Sequence, residues 1–386
     1  MIINIFGSTG EIGQKTLKLI TNYFPSIKVN LLCANKNINL ILKQIKIYNP
    51  PFVFLHNLDS SKKLKLKLKK NTTTKILNYK ELSLYLNKSK SDLTLLAISG
   101  YKSLYFIDDI ISNTKNLGLV NKEAIVSAGH IFKKKKYFKK TNIFPIDSEH
   151  FSIFNQYKTL NINQNINKII LTASGGPFHQ YKYKSLNNIS YKEAIKHPKW
   201  KMGYKNSIDS ATLVNKCLEV VEAHYLFNIP YNKIKVLIHP QAFVHSIIEN
   251  NNYTTYFNAF KNDMSIPLIS FLMLTKQKNR KYNKKLSLSH LNKLDFKFVD
   301  NDTFPIYKFF INLDKSKPSN IIKFNIGNEI AVNMFKNKVI KYTEIIKIIK
   351  KVVSLNLNSP LNNIKDIIKY HEDVEYQCKF LFKVFS

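Results

Sequence analysis

The chain has 386 residues, three cysteines and a formal net charge of +35, enough for two or three domains with a substantial core. Cys33, Cys217 and Cys378 are far apart, odd in number and in no CxxC spacing, which predicts free thiols, a reducing compartment and no thiolate metal centre. Of the 60 basic residues only Arg280 is an arginine, and a protein built for bidentate phosphate and base contacts would not be almost without it. The charge therefore reads as codon bias, a chain rich in Lys, Asn and Ile, and no nucleic-acid partner is expected.

No run approaches the ~18 apolar residues of a membrane span, and the N-terminus enters an apolar strand without a basic, apolar leader. The expectation is a cytoplasmic protein with no membrane partner. Residues 1–6 form that first strand, followed by Gly7-Ser8-Thr9-Gly10-Glu11-Ile12-Gly13 and a helical pattern through Ile20. Strand, glycine turn and helix in this order suit a pyrophosphate at a helix N-terminus, although a tight βα turn needs the same residues. A second strand, 28–34, ends in Asn35-Lys36-Asn37. A carboxylate there would take the ribose hydroxyl of NAD, whereas a cation, here Lys36, points to NADP.

Strands near 52–55, 92–98 and 117–120 alternate with helices near 38–48, 80–87 and 103–113, the rhythm of a doubly wound, mostly parallel sheet. The Lys/Leu stretch 63–70 reads as a solvated surface element. The strand Leu117–Val120 delivers Asn121, Lys122 and Glu123 at its C-terminal end, where open α/β sheets bind ligands. Beyond a basic loop at 133–140 comes Phe144-Pro145-Ile146-Asp147-Ser148-Glu149-His150. In extended chain Asp147 and Glu149 point the same way, and two such carboxylates call for a hard divalent cation. One of them could equally cap the helix expected at 151–158.

A strand at 168–172 leads into Ala173-Ser174-Gly175-Gly176-Pro177, a turn whose N–H groups could meet an anion. Then come His197–Lys205 and Ser207–Glu222. At helical spacing Asn215, Lys216 and Glu219 share a face, and Asp209 and Ser210 fall where an N-cap would offer hydroxyls and N–H groups to a phosphate. The alternative is an amphipathic helix with its polar face solvated. Strands at 235–239, 244–248 and 254–258 follow with hairpin-like spacing, and helical patterns run from about Thr303 to the end.

The stretches GSTGEIG, VNKE, PIDSEHFSIFNQ, LTASGGPF, HPKWKMGYKNSIDSATLVNKCLE, IHPQAFVHS and NIGNE together resemble the 1-deoxy-D-xylulose 5-phosphate reductoisomerase family, from the first strand to about Val332. The resemblance implies an α/β fold in three parts: an NADPH-binding Rossmann-like domain at 1–146, an α+β catalytic domain at 147–285 with a lid at 197–205, and a linker with a C-terminal helical domain at 286–386. It implies a homodimer that rearranges and reduces a phosphorylated sugar, 1-deoxy-D-xylulose 5-phosphate, to 2-C-methyl-D-erythritol 4-phosphate for isoprenoid synthesis. NADPH and Mg2+ or Mn2+ would be the cofactors.

By the same resemblance Asp147, Glu149 and Glu219 hold the metal and act with Lys122 in catalysis. Substrate would meet Lys122, Ser148, Glu149, Ser174, His197, Ser210, Asn215, Lys216 and Glu219. NADPH would meet Thr9, Gly10, Glu11, Ile12, Asn35, Lys36, Asn37, Asn121, Glu123 and Gly203, while Trp200 and Met202 would close with the lid. Four departures from the family pattern stand out: Glu11 for a usual serine, Asn35 for a glycine, Cys217 for a small residue, and Tyr101-Lys102-Ser103 for a glycine-containing turn. An Asn at 35 suits a positive φ, and a carboxylate at 11 repels a pyrophosphate unless it points outward.

Overall fold

In the computed structural model, residues 1–68, 73–134, 141–160, 166–197, 203–275 and 292–382 are described. They fall into two compact units. The first comprises residues 1–121, 141–151 and 263–275, and the second the remainder.

The first unit is built on seven strands, β1 (Ile2–Phe6), β2 (Lys28–Ala34), β3 (Phe52–Leu55), β4 (Lys75–Leu77), β5 (Ser91–Leu96), β6 (Thr114–Leu119) and β7 (Asn142–Pro145). They pair in parallel in the order β4-β3-β2-β1-β5-β6-β7, so the chain reverses its winding between β1 and β5 and opens a crevice there. The intervening helices are α1 (Glu11–Tyr23), α2 (Ile38–Tyr48), α3 (Leu58–Lys67), α4 (Tyr79–Lys88) and α5 (Leu104–Asn113). β1 and β5 are apolar because both of their faces are covered: Ile3, Ile5, Phe6, Leu93, Leu95 and Leu96 are buried. The expected Lys/Leu surface stretch lies partly in α3, where Leu64 is fully buried while Leu66 is exposed. One leucine therefore packs while its neighbours stay in solvent.

The second unit starts with α6 (Lys122–Lys134), and α7 (Ser148–Leu160) enters it after Phe151. The helices continue with α8 (Tyr191–Ala194), α9 (Tyr204–Ala211) and α10 (Val214–Phe227). Its sheet contains β8 (Ile166–Ala173), β9 (Ile234–Ile238), β10 (Val244–Asn250), β11 (Thr255–Ala259) and β12 (Lys297–Phe298), in the order β11-β10-β8-β9-β12. β10 and β11 form the expected hairpin, but β9 and β10 do not, because β8 lies between them and pairs in parallel with β9. Spacing along the chain could not show a third strand inserted from earlier in the sequence.

After α11 (Ser265–Leu272), which belongs to the first unit, come α12 (Pro305–Ile311), α13 (Pro318–Lys336), α14 (Ile345–Val353) and α15 (Ile364–Phe382). α13 is buried almost all round, from Ile321 to Phe335, as befits the centre of a helical layer. α6 approaches α10 so closely that a Cβ on Gly129 would lie 2.2 Å from the Tyr225 ring. Glycine is what lets Lys122, at the start of α6, reach α10.

Candidate functional site

In the first unit the turn after β1 is made by backbone. Gly7 has φ +89° and Ser8 follows it, and both N–H groups donate to Cys33 O at 2.9 Å. A Cβ on Gly7 would lie 2.4 Å from Ala97 O, and one on Gly13 would lie 2.3 Å from Gly7 O. Gly7 and Gly13 therefore permit close packing of turn, strand and helix. Gly10 caps α1 in extended conformation without a side-chain acceptor, leaving first-turn N–H groups and the dipole to an anion. Glu11 is the first residue of α1 and is exposed, and Ile12 is half-buried beside it.

The crevice at the β1/β5 reversal is a cavity of 290 Å³. Thr9, Gly10 and Asn35 line it with Gly7, as does Lys102 of the departing Tyr101-Lys102-Ser103 stretch, and so do residues the sequence reading did not single out: Phe54, His56, Ala97, Ile98 and Ser99. The signal for these was topological, since they lie at or just beyond the C-terminal ends of β3 and β5, which only the strand order identifies as neighbours of the glycine turn. Asn35 and Lys36 are exposed, and Asn35 is not among the residues with positive φ. The expectation of a left-handed residue there is thus corrected: the chain leaves β2 without one. Asn37 accepts from Leu40 N at 3.1 Å and caps α2. Buried Asn121 donates to Ile98 O and, at 2.9 Å, to Gly100 O, tying the loops after β5 and β6 together.

The two acids after β7 are not in extended chain. α7 begins at Ser148, and Asp147 Oδ1 accepts from Glu149 N at 3.1 Å and from His150 N at 3.4 Å. Asp147 is therefore the helix cap that the sequence allowed for one of the pair, and Glu149 sits in the first turn, where the helix dipole favours a carboxylate. The buried His150 ring lies with Nδ1 2.9 Å from Asp147 Oδ1, and Ser148 Oγ donates to Glu149 Oε2 at 2.5 Å. A carboxylate acceptor requires the proton on Nδ1.

In the second unit the helix expected to start at Asp209 and Ser210 is instead two. Gly203 caps α9, the chain turns at Leu213 with φ 63°, and α10 starts at Val214. Asp209 and Ser210 therefore lie in the second half of α9 and cap nothing. Leu213 is buried, and the buried side chains on both sides of the break hold it in a conformation that costs a non-glycine residue roughly 1–3 kcal/mol.

α10 carries the expected cluster, and its polar face is not solvated. Glu219 is fully buried and Lys216 nearly so. Lys122 Nζ lies 2.9 Å from Asn215 Oδ1 and 3.1 Å from Glu219 Oε1; Asn215 donates to the same carboxylate oxygen, and Lys216 to the other. Two ammonium groups and one amide thus hold a single carboxylate, which offsets the cost of burying it. Beside this, His197 Nε2 lies 3.0 Å from both Ser174 Oγ and Ser210 Oγ, and Gly176 N donates to Ser174 Oγ at 3.3 Å. A Cβ on Gly176 would meet Ser210 O at 2.8 Å, so glycine brings the turn after β8 onto α9. Of the expected lid, His197 and Gly203–Lys205 are described; Trp200 and Met202, like residues 135–140 of the basic loop expected at 133–140, lie outside the described residues.

A further polar group went unnoticed in the sequence. Lys205 Nζ bonds Asp209 Oδ2 at 2.8 Å and Glu123 Oε1 at 3.5 Å, while Asn328 donates to Asp209 Oδ1 at 2.8 Å and Asn325 to Glu329 Oε1 at 3.2 Å. Burial alone would lower the Lys205 pKa, but Asp209, Glu123 and Glu329 override it and push it up. Burial pushes the Glu329 carboxyl up to about 7, against the pull of Lys205. The i, i+4 spacing of Lys205 with Asp209 and of Asn325 with Glu329 was the available signal. Glu123, expected at the cofactor, is engaged here by Lys205.

Models of 1-deoxy-D-xylulose 5-phosphate reductoisomerase match residues 3–129, and models of its C-terminal domains match 143–227 and 261–376. The Pelagibacter ubique 1-deoxy-D-xylulose 5-phosphate reductoisomerase is 38% identical over 91% of this chain and 90% of its own. That of Wolbachia pipientis wMel is 35% identical over 98% and 96%. Among solved structures, the Zymomonas mobilis enzyme in complex with NADPH superposes with TM-score 0.87 at 29% identity, covering 100% of this chain and 99% of that one. A DOX-P reductoisomerase in complex with NADPH, fosmidomycin and magnesium gives TM-score 0.90 at 28% identity, covering 100% and 98%. Turn, acids, serine–histidine pair and α10 cluster thus stand in a chain that belongs to the 1-deoxy-D-xylulose 5-phosphate reductoisomerase family.

Proposed function

We propose that this protein converts 1-deoxy-D-xylulose 5-phosphate to 2-C-methyl-D-erythritol 4-phosphate, using NADPH and Mg2+ or Mn2+, as a step of isoprenoid precursor synthesis. The observation that carries the reading is the Lys122–Asn215–Lys216–Glu219 cluster on α6 and α10 around the buried Glu219, with Ser174 after β8 and His197 before α9 gathered on Ser210 of α9. One group orients oxygens around a reacting centre, and the other holds a phosphate.

The residues fit both cofactors. The glycine turn, which a Cβ at 7 or 13 would fill, suits a pyrophosphate, and the carboxylates Asp147, Glu149 and Glu219 are the oxygen donors that a hard divalent cation takes. When bound, the cation supplies Lewis-acid polarisation of the substrate's ketone and NADPH supplies hydride. In this reading Lys122 and Lys216 offset negative charge beside Glu219 and keep its oxygens fixed. The Asp147 cap and the Ser148–Glu149 bond orient the other two acids. Ser174, His197 and Ser210 donate to phosphate oxygens, and Asn215 orients the substrate backbone. Thr9, Gly10, Glu11, Ile12, Asn35, Lys36, Asn37, Asn121, Glu123 and Gly203 would meet the dinucleotide.

A homodimer in the cytoplasm completes the proposal. Among the described residues no helix is long and apolar enough to cross a membrane. Purified protein with substrate, NADPH and Mg2+ should consume nicotinamide absorbance, stop on chelation of the metal and be blocked by fosmidomycin. Turnover that persists after metal removal overturns the reading, and light scattering checks the dimer.

A further inference from the structure

Lys205, Asp209 and Asn328 take no part in the reaction proposed above, yet they are joined to residues that do. Asp209 is almost fully buried, and both of its oxygens are engaged: Oδ2 accepts from Lys205 Nζ and Oδ1 from Asn328 of α13, each at 2.8 Å. The same ammonium reaches Glu123 Oε1, in the first turn of α6, at 3.5 Å. Burial alone would lower the Lys205 pKa, but Asp209, Glu123 and Glu329 push it up, so the ammonium stays charged. Each bonded carboxylate is the chain neighbour of a group assigned to substrate. Glu123 follows Lys122, whose Nζ meets Asn215 and Glu219, and Asp209 precedes Ser210, whose Oγ lies 3.0 Å from His197 Nε2. Consecutive helical residues point about 100° apart, so one member of each pair can serve the ligand while the other faces Lys205.

We infer that Lys205 is a positioning residue: it fixes the spacing between the Ser174–His197–Ser210 group and the Lys122–Glu219 cluster, and so selects the chain length of the sugar phosphate. The inference rests on the function proposed above and deepens it. A ligand held at both ends gains from the second contact only when its length matches the span between them. A fixed span therefore discriminates between homologues, whereas a span free to vary accepts neighbouring lengths. One ammonium here ties the turn of α6 that carries Lys122 to the turn of α9 that carries Ser210. Asn328 anchors the same tie to α13, which is buried almost all round. Displacing Asp209 would strip a buried carboxylate of its partners, a strongly unfavourable change, so the tie resists movement of either helix.

Calorimetric titration of the full chain with Mg2+ and without NADPH tests this apart from turnover. The ligands are 1-deoxy-D-xylulose 5-phosphate, the 1-deoxyketose phosphates a carbon shorter and a carbon longer, and inorganic phosphate. The unmodified protein should prefer 1-deoxy-D-xylulose 5-phosphate over each homologue by roughly tenfold or more, the worth of a methylene in a fitted site. Lys205→Met leaves Asp209 buried with Asn328 alone and can cost folding. Lys205→Met combined with Asp209→Asn removes both charges and is the decisive variant, with melting curves to confirm that it folds. In it the preference should shrink by roughly tenfold, while inorganic phosphate and Mg2+, which each engage one end of the site, bind as before. The inference is overturned if the preference is absent from the unmodified protein or survives in the combined variant, or if phosphate, Mg2+ and every sugar phosphate weaken by the same factor. Failure of the unmodified protein to bind any of the sugar phosphates overturns the proposed function itself.

Discussion

The glycine turn of the first unit and the α10 cluster of the second both suit negatively charged groups, but they are made of different material. Around Gly7–Gly13 the groups that matter are backbone N–H and the absence of Cβ atoms; around Glu219 they are side chains of fixed charge and length, buried and bonded to each other. A backbone cradle tolerates changes in the side chains that project from it. A side-chain cluster tolerates almost none, because each member is the neutralising partner of another. This explains why Glu11 and Asn35 can depart from the family pattern while Lys122, Asn215, Lys216 and Glu219 keep it.

The strongest way to break the contrast is Glu219→Gln. It leaves two ammonium groups facing a neutral amide and removes a proposed metal ligand, so turnover should fall by more than about a hundredfold, the upper range for outer-shell partners of a metal, with a raised Mg2+ requirement. Glu222→Gln is the control three residues on; Glu222 is buried too, so melting temperature should fall while metal dependence stays. Activity against Mg2+ and Mn2+ concentration decides, and exchange of the two outcomes would misplace the site by a helical turn.

Gly13→Ala is next. A methyl placed 2.3 Å from Gly7 O forces turn and helix apart at about 1–3 kcal/mol, lowering the melting temperature by several degrees by about 2–4 °C per kcal/mol. At Gly10 the nearest atom is 3.3 Å away, and alanine should cost clearly less. Equal losses at both positions would show that the glycines serve something other than packing.

A smaller, pH-dependent effect is expected at Glu329. Its carboxyl is raised from 4.5 to about 7 in the folded protein, so between these values the native state binds more protons than the unfolded chain. Its contribution to stability is therefore greatest below 4.5 and lost as pH rises to 7. Glu329→Gln removes that dependence, so the variant should gain melting temperature relative to the parent as pH rises through this window. A constant difference across it would refute the assignment.

The smallest change is predicted for Glu11→Ser. Because Glu11 projects into solvent from a cradle made by backbone, NADPH affinity should shift by less than about threefold, on the scale of an exposed charge pair. A larger shift in a binding titration would mean that the turn is read by its side chains after all.

The sequence was most legible where periodicity and chemistry coincide. The parallel sheet followed from its βα rhythm, and the Asn215–Lys216–Glu219 face from helical spacing, because burying one residue of such a set requires burying the others. What depended on non-local neighbours was hidden. Nothing local shows that β8 separates β9 from β10, or that Phe54, His56 and Lys102 share a crevice with Gly7. The break at Leu213 was hidden for another reason: leucine is a strong helix former, and only the packing around it overrides that preference.

That break gives the segment two independent helical phases. In a single rod from Tyr204 to Phe227 each residue would be turned about 100° from the last, so the direction in which Lys205 and Asp209 face would dictate where Asn215 and Glu219 face. With Leu213 as a joint, α9 can aim Lys205 and Asp209 at Glu123 and Asn328 while α10 aims Asn215 and Glu219 at Lys122. Replacing Leu213 with glycine would ease the joint's conformation yet loosen its timing, leaving two sound helices that no longer agree on which way to point.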